Sequence, residues 1–268
     1  MRTQIALAIT ATVFSMPLIA KSVLQEEMEK IAKANDLHHL VSEAQPAPLT
    51  KQQQVGARNL LKCAQYLEDK NIDKHTAFLY AAGLNNSSKY TLFASPEEAP
   101  EAYALAAQSA QTLGTNPPIA IFFDYDSLRS SHANGMHVVL SYGEMKKAET
   151  LESQKALVGH ELAHLAAEHN RKRVESIASN ALLTKHELAK QSRDHELEAD
   201  KGAALVAGHE ATIALLTKII VPCAQEGDNP SDEWLAMAES HSTHPCRETR
   251  IRAIEKLREA KVPTTSND

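Results

Sequence analysis

The chain has 268 residues, 43% of them hydrophobic, 4% aromatic and 23% charged, with 28 Lys and Arg against 34 Asp and Glu for a net charge of -6. These proportions belong to an ordinary globular protein and exclude disordered, collagen-like and disulfide-scaffold chains. The acidic balance provides no general field for phosphates, so nucleic acid is not an expected partner.

Only 9 Gly accompany many Ala, Leu, Glu, Gln and Lys, which predicts a mainly α fold with a small β element, in the α+β class. Met1 to Gln4 precede an apolar run from Ile5 to Ala20 that contains Pro17 and stops before Lys21-Ser22. This pattern predicts a secretory signal peptide over residues 1–20, because the run is shorter than the ~20 residues needed to span a bilayer. The mature chain is then exported, with a periplasmic destination expected and an uncleaved N-terminal anchor as the alternative. No Cys follows the run as a lipoprotein would require, and no later segment is long and apolar enough to cross a membrane.

Lys21 to Glu43 reads as a polar helix, and Pro46-Ala47-Pro48 as a linker. Thr50 to Lys70 is an amphipathic helix through Val55, Leu60, Leu61, Ala64 and Leu67, and Thr76 to Leu84 a shorter one. Glu97 to Leu113 is an Ala-rich helix closed by Gly114. After Asn116-Pro117-Pro118, Ile119 to Phe123 is a buried strand, and Asn134-Gly135 turns the chain into a second strand, Met136 to Leu140. From Thr150 the pattern is helical: Glu152 to His169, Val174 to Ala207 with an interruption, His209 to Val221, Ser231 to Glu239 and Arg247 to Ala260. The Arg171-Lys172-Arg173 cluster fits the cationic end of the first of these helices, and Trp234 reads as core. No internal repeat appears. Of the three Cys, Cys223 and Cys246 flank one predicted helix and form the preferred disulfide in an oxidising compartment; three buried free thiols are the alternative.

The chemistry concentrates at His160-Glu161-Leu162-Ala163-His164, an H-E-x-x-H stretch within a helical segment. Residues four apart on a helix share a face, so His160 and His164 present two imidazoles to one metal ion. Glu161 points toward the open coordination position and can take a proton from water there. A third ligand is needed. Ala167 and Asn170 stand where the metzincin pattern requires Gly and His, which removes that solution. Glu196 on a later predicted helix supplies the alternative, a His₂Glu site for one Zn²⁺ per chain with a place left for water. Asp200, four residues on and on the same face, can hydrogen-bond the outer nitrogen of a ligand His. His38, His39, His75, His132, His186, His209 and His241 read as surface or satisfied polar residues, and His195 as pointing away from the site.

These residues resemble the zinc metallopeptidases that include the prenyl-protein (CAAX) endoproteases, the HtpX-type membrane proteases and their soluble periplasmic relatives. The likeness extends to Leu157-Val158-Gly159, His169, Glu196-x-x-Ala199-Asp200, Thr243-His244-Pro245 and Arg250-Ile251. It implies a gluzincin-like domain over residues 101–260, following an N-terminal helical region at 21–100 and followed by a tail at 261–268. It also implies an edge strand from Asn134 to Leu140 along which an extended peptide docks. His244 and Arg250 are similar to family residues beside the cleft. His244 either stabilises the oxyanion or occupies the metal's open position, and a Cys223–Cys246 disulfide would tether its loop.

The expected function is a zinc-dependent endopeptidase acting on extended or misfolded exported polypeptides, in protein quality control, with Glu161 as general base and His244 and Arg250 in the catalytic set. A periplasmic chaperone or assembly factor with latent activity, its zinc blocked by His244, is the alternative. Peripheral association with a membrane or an outer-membrane assembly complex is the expected partner class.

Overall fold

The computed structural model describes residues 22–35, 49–74, 76, 77, 90–126, 129–179, 183–225 and 228–260. The predicted signal peptide, the Pro46-Ala47-Pro48 linker, most of the Thr76–Leu84 helix and the 261–268 tail lie outside them.

Helix α1 (Val23–Ala34) starts at a capping box in which Ser22 and Gln25 satisfy each other's backbone N–H groups. Its apolar stripe, Leu24, Met28 and Ile31, enters the main core. It ends at Ala34 with Asn35 as its C-cap, and the rest of the Lys21–Glu43 reading, residues 36–43, lies outside the described residues. Helix α2 (Leu49–Asp69) follows. Its Asn59 accepts from Phe93 N at 2.8 Å and donates to Thr91 O at 3.3 Å, anchoring strand β1 (Thr91–Ala94). Helix α3 (Pro100–Leu113) begins three residues later than Glu97 suggested, because a residue preceding proline is pushed out of the helical region. The Glu27 carboxylate on α1 caps it, accepting from Glu101 N at 3.0 Å and Ala102 N at 3.3 Å. Gly114, at φ 67°, ends it in the left-handed conformation that glycine adopts freely.

Strands β2 (Ala120–Asp124), β3 (His132–Asn134) and β4 (His137–Ser141) complete a four-stranded mixed sheet in the order β1-β2-β4-β3. β2 runs parallel to β4, while the outer pairs are antiparallel. Alternate side chains feed two cores. Leu92, Ile121, Phe123, Val138 and Leu140 join α1 and α3, whereas Phe93, Phe122 and Val139 meet Cys63, Ala64 and Leu67 of α2. The strand expected at Met136–Leu140 is displaced by one residue, with Gly135 (φ 61°) and Met136 forming the turn. The expectation that Asn134 to Leu140 forms an edge strand is corrected. β4 is paired on both sides, and the edges are β1 and, next to β4, β3, whose short polar His132-Ala133-Asn134 carries no alternating signal.

After α4 (Tyr142–Lys147) comes the buried helix α5 (Leu151–Ala166), capped by Thr150. It ends three residues before the expected His169, at Ala167 and the left-handed Glu168 (φ 52°), and His169 opens α6 (His169–Ser179). The Arg171-Lys172-Arg173 cluster therefore lies near the start of a helix, not at the end of one. Helix α7 (Lys185–Ala207) carries a second capping box at Thr184 and Glu187. It crosses α5 very closely and antiparallel. A Cβ on Gly202 would stand 2.4 Å from Ala163 Cβ, and one on Gly159 would stand 2.9 Å from Val206 Cβ. Helices α8 (His209–Ile219), α9 (Asp232–Ala238) and α10 (Arg247–Ala260) follow. Ala204, Leu216 and Ile254 join α7, α8 and α10 in a small core. Trp234, expected in the core, is 38% exposed on α9. No helix among the described residues is long and apolar enough to cross a membrane.

Candidate active site

The close α5–α7 crossing sets two histidines opposite a carboxylate. His160 and His164, one turn apart on α5, bring their Nε2 atoms to 3.2 Å from each other. Glu196 on α7 places Oε2 3.5 Å from His160 Nε2 and Oε1 3.6 Å from His164 Nε2. Tetrahedral ligation at ~2.0–2.1 Å separates ligand atoms by about 3.4 Å, so the triangle fits a single cation. The donor set, two imidazoles and one carboxylate, is that of a catalytic zinc site, and these residues could hold such an ion.

Each corner is held from behind. Asp200, fully buried one turn after Glu196, lies 3.0 Å from His160 Nδ1. Arg250 from α10 clamps Asp200 through Nε at 2.7 Å and Nη2 at 2.6 Å, and its Nη1 lies 3.2 Å from Glu196 Oε2. All three guanidinium nitrogens thus face these two carboxylates. Burial opposes ionisation of Glu196, yet His160 and Arg250 hold its carboxyl well below the ordinary range. Burial likewise works against His160, but hydrogen bonds with Asp200 and Glu196 lift that ring to about 10. Burial pushes His164 down to about 3, with the neighbouring His160 charge adding to the effect. Glu161, 4% exposed, faces the same cleft, and burial pushes its carboxyl up to about 8 against the pull of His160. A carboxyl whose proton affinity has been raised in this way suits proton transfer near neutral pH.

His244 lies at the rim beside the metal triangle without completing it. Its side chain is 66% exposed, and Nε2 lies 3.8 Å from Glu196 Oε1. Among the described residues, only His160, His164 and Glu196 bring their ligand atoms within 4.8 Å of one another at this centre. The loop bearing His244 is tied to α7 by Arg193, which donates to Glu239 O at 2.8 Å and Ser242 O at 2.6 Å. The expected disulfide is present, and Cys223–Cys246 fastens the far end of that loop; Cys63 is a buried free thiol.

The reading of His195 as pointing away is corrected. It lines the cleft and stacks on His169 with centroids 4.1 Å apart and rings within 8° of parallel. His169 in turn approaches His164 Nδ1 at 2.9 Å. Counting residues along one continuous helix could not show this, because the contact depends on the break at Glu168.

Residues 130–191 and 177–258 match the family model of peptidase family M48. The chain belongs to peptidase family M48. It is accordingly a metallopeptidase, and the matched segments run from β3 to α10, covering His160, Glu161, His164, Glu196, Asp200, His244 and Arg250. No curated protein and no solved structure matches the chain. The M48 cleft has a volume of about 640 Å³. Its lining includes polar side chains such as Ser192, His195 and Asn170 and apolar ones such as Leu157, Ala203, Leu215 and Ile219. Ser192 and Ala203 lie ~16 Å apart along α7 at 1.5 Å per residue, with Glu196 and Asp200 between them.

Proposed function

We propose that this metallopeptidase is a zinc-dependent endopeptidase that cuts extended or misfolded exported polypeptides. The observation that carries the reading is the His160–His164–Glu196 triangle with the buried carboxyl of Glu161 facing the same cleft. His160, His164 and Glu196 would hold a Zn²⁺ ion there, which would supply Lewis acidity toward water and the substrate carbonyl. Glu161 takes the proton of the attacking water and later delivers it to the leaving amine. Arg250 and Asp200 hold Glu196 and His160 in place, so the oxyanion must be met by other groups. His244, exposed at the rim beside Glu196, stands where it can donate to that oxygen once a substrate closes over it.

A cleft with both polar and apolar lining suits an internal bond in a chain that passes through it. The outer edge of β3 lines the cleft and offers main-chain hydrogen bonds that are tolerant of sequence. The apolar lining favours a hydrophobic side chain next to the scissile bond. Export is supported by the apolar Ile5–Ala20 run and by the Cys223–Cys246 disulfide, since such bonds persist in oxidising compartments.

The test is cleavage of casein by the zinc-loaded chain, beside Glu161→Gln at equal zinc content. Fragments from the wild type alone support the reading, and equal cleavage by both proteins removes Glu161 as the base. The closeness of His244 to Glu196 favours one second reading, a latent enzyme in which His244 obstructs the metal. If both proteins are silent, His244→Ala separates the cases: activity appearing in that variant shows latency, and continued silence refutes the peptidase reading.

A further inference from the structure

We infer that His169 is a positioning residue for the metal site, accepting a hydrogen bond from His164 and thereby fixing the tautomer in which His164 Nε2 faces Glu196. The inference rests on the reading of His164 as a metal ligand. Two ring nitrogens 2.9 Å apart, His164 Nδ1 and His169 Nδ1, can form a hydrogen bond only if one carries the proton and the other does not. A His that ligates through Nε2 keeps its proton on Nδ1, so His164 is the donor and His169 the acceptor. The proton of neutral His169 then resides on Nε2, where Glu198 Oε2 waits at 3.1 Å. The chain His164–His169–Glu198 therefore assigns every proton without conflict.

Three further features show that this arrangement is built into the fold. A continued helix would carry residue 169 about 140° round from residue 164, on another face. The chain instead breaks after Ala166, and Glu168 takes a left-handed conformation (φ 52°) that costs a non-glycine residue about 1–2 kcal/mol. This turn brings the His169 ring back beneath His164. The ring is 4% exposed, so an unmatched nitrogen there would be costly. His195 then fixes its plane by stacking at 4.1 Å. His195 and Glu198 both come from α7, the helix that carries Glu196, so one helix supplies the third ligand and orients the second. His160 is served differently, by the deeply buried Asp200–Arg250 pair.

The experiment separates hydrogen bonding from packing. His169→Asn keeps an acceptor near the Nδ1 position but loses the stack on His195, whereas His169→Phe keeps the stack and loses the acceptor. Zinc affinity of the full chain is measured by competition with a chromogenic chelator, after far-UV circular dichroism confirms folding. The expected result is binding by His169→Asn within a few-fold of wild type and a loss of about 10–100-fold in His169→Phe. Equal affinities in the two variants, or tighter binding by His169→Phe, would overturn the inference. Nitrogen-15 NMR of the zinc-loaded wild type gives a second measurement that needs no variant to fold. A His169 proton on Nε2 is expected, and one on Nδ1 refutes the inference. Full zinc affinity in His164→Ala would instead remove the ligand reading on which the inference rests.

Discussion

The α5–α7 crossing can be tested by adding a single methyl group. Gly202→Ala would place a Cβ 2.4 Å from Ala163 Cβ, about 1 Å inside the ~3.5 Å at which two carbons rest. Both atoms are fixed to helix backbones, so the relief must come from parting the helices by about that distance. Ala163 lies between the two histidines and Gly202 lies six residues beyond Glu196 on the opposing helix. The separations of Glu196 from His160 and His164, now 3.5 and 3.6 Å, would then open toward about 4.5 Å, beyond what one tetrahedral ion bridges. The expected outcome is a fall in zinc affinity of tenfold to about a hundredfold, accompanied by about 1–3 kcal/mol of destabilisation. Gly159→Ala should do less, because its Cβ would stand 2.9 Å from Val206 Cβ, an overlap about half as deep that a smaller parting of the helices relieves. Chelator competition and urea unfolding measure the two effects. Adding Ala163→Gly to Gly202→Ala removes the colliding methyl and should restore zinc binding, despite a helix cost of about 0.5–1 kcal/mol. Wild-type affinity in Gly202→Ala alone, or no recovery in the double variant, would refute the claim that this contact sets the position of Glu196.

Arg250→Met should destabilise the chain by about 3–5 kcal/mol in urea and reduce zinc content, since it leaves the buried Asp200 and the half-buried Glu196 carboxylates without their counter-charge; a loss under 1 kcal/mol would contradict the pairing. His137, 1% exposed on β4 beside Phe122, is pushed down to about 4 by burial, with His132 adding to the effect. The unfolded chain therefore binds this proton more readily, so stability should fall as pH drops from about 6.5 to 4, by about 3 kcal/mol in total. His137→Leu should flatten that part of the stability profile, and an unchanged acid slope would show that His137 does not set it. Opening the Cys223–Cys246 bond by replacing both Cys with Ser frees a 23-residue separation and should cost up to about 3 kcal/mol, read as a lower unfolding midpoint.

The chemistry of this protein was legible in its sequence because it is written at helical spacing. His160 and His164 lie one turn apart, as do Glu196 and Asp200, and α5 and α7 carry these pairs on single faces as the periodicity requires. The strands at 120–124 and 137–141, each to within one residue, and most helix ends followed from apolar patterning and from capping residues such as Thr150 and Gly114. What local pattern could not supply was everything decided by contacts between distant segments. The edge beside the cleft fell to β3 because β4 finds a partner on each side. Arg250 turned inward because the buried Asp200 and half-buried Glu196 carboxylates of α7 need its charge. His195 and His169 came together only through the left-handed turn at Glu168 and the return of α7 alongside α5. Helical periodicity places side chains on a face, but which face meets which, and how closely, depends on packing. Here two glycine positions, 159 and 202, let α5 and α7 approach closely enough for three ligand atoms to meet.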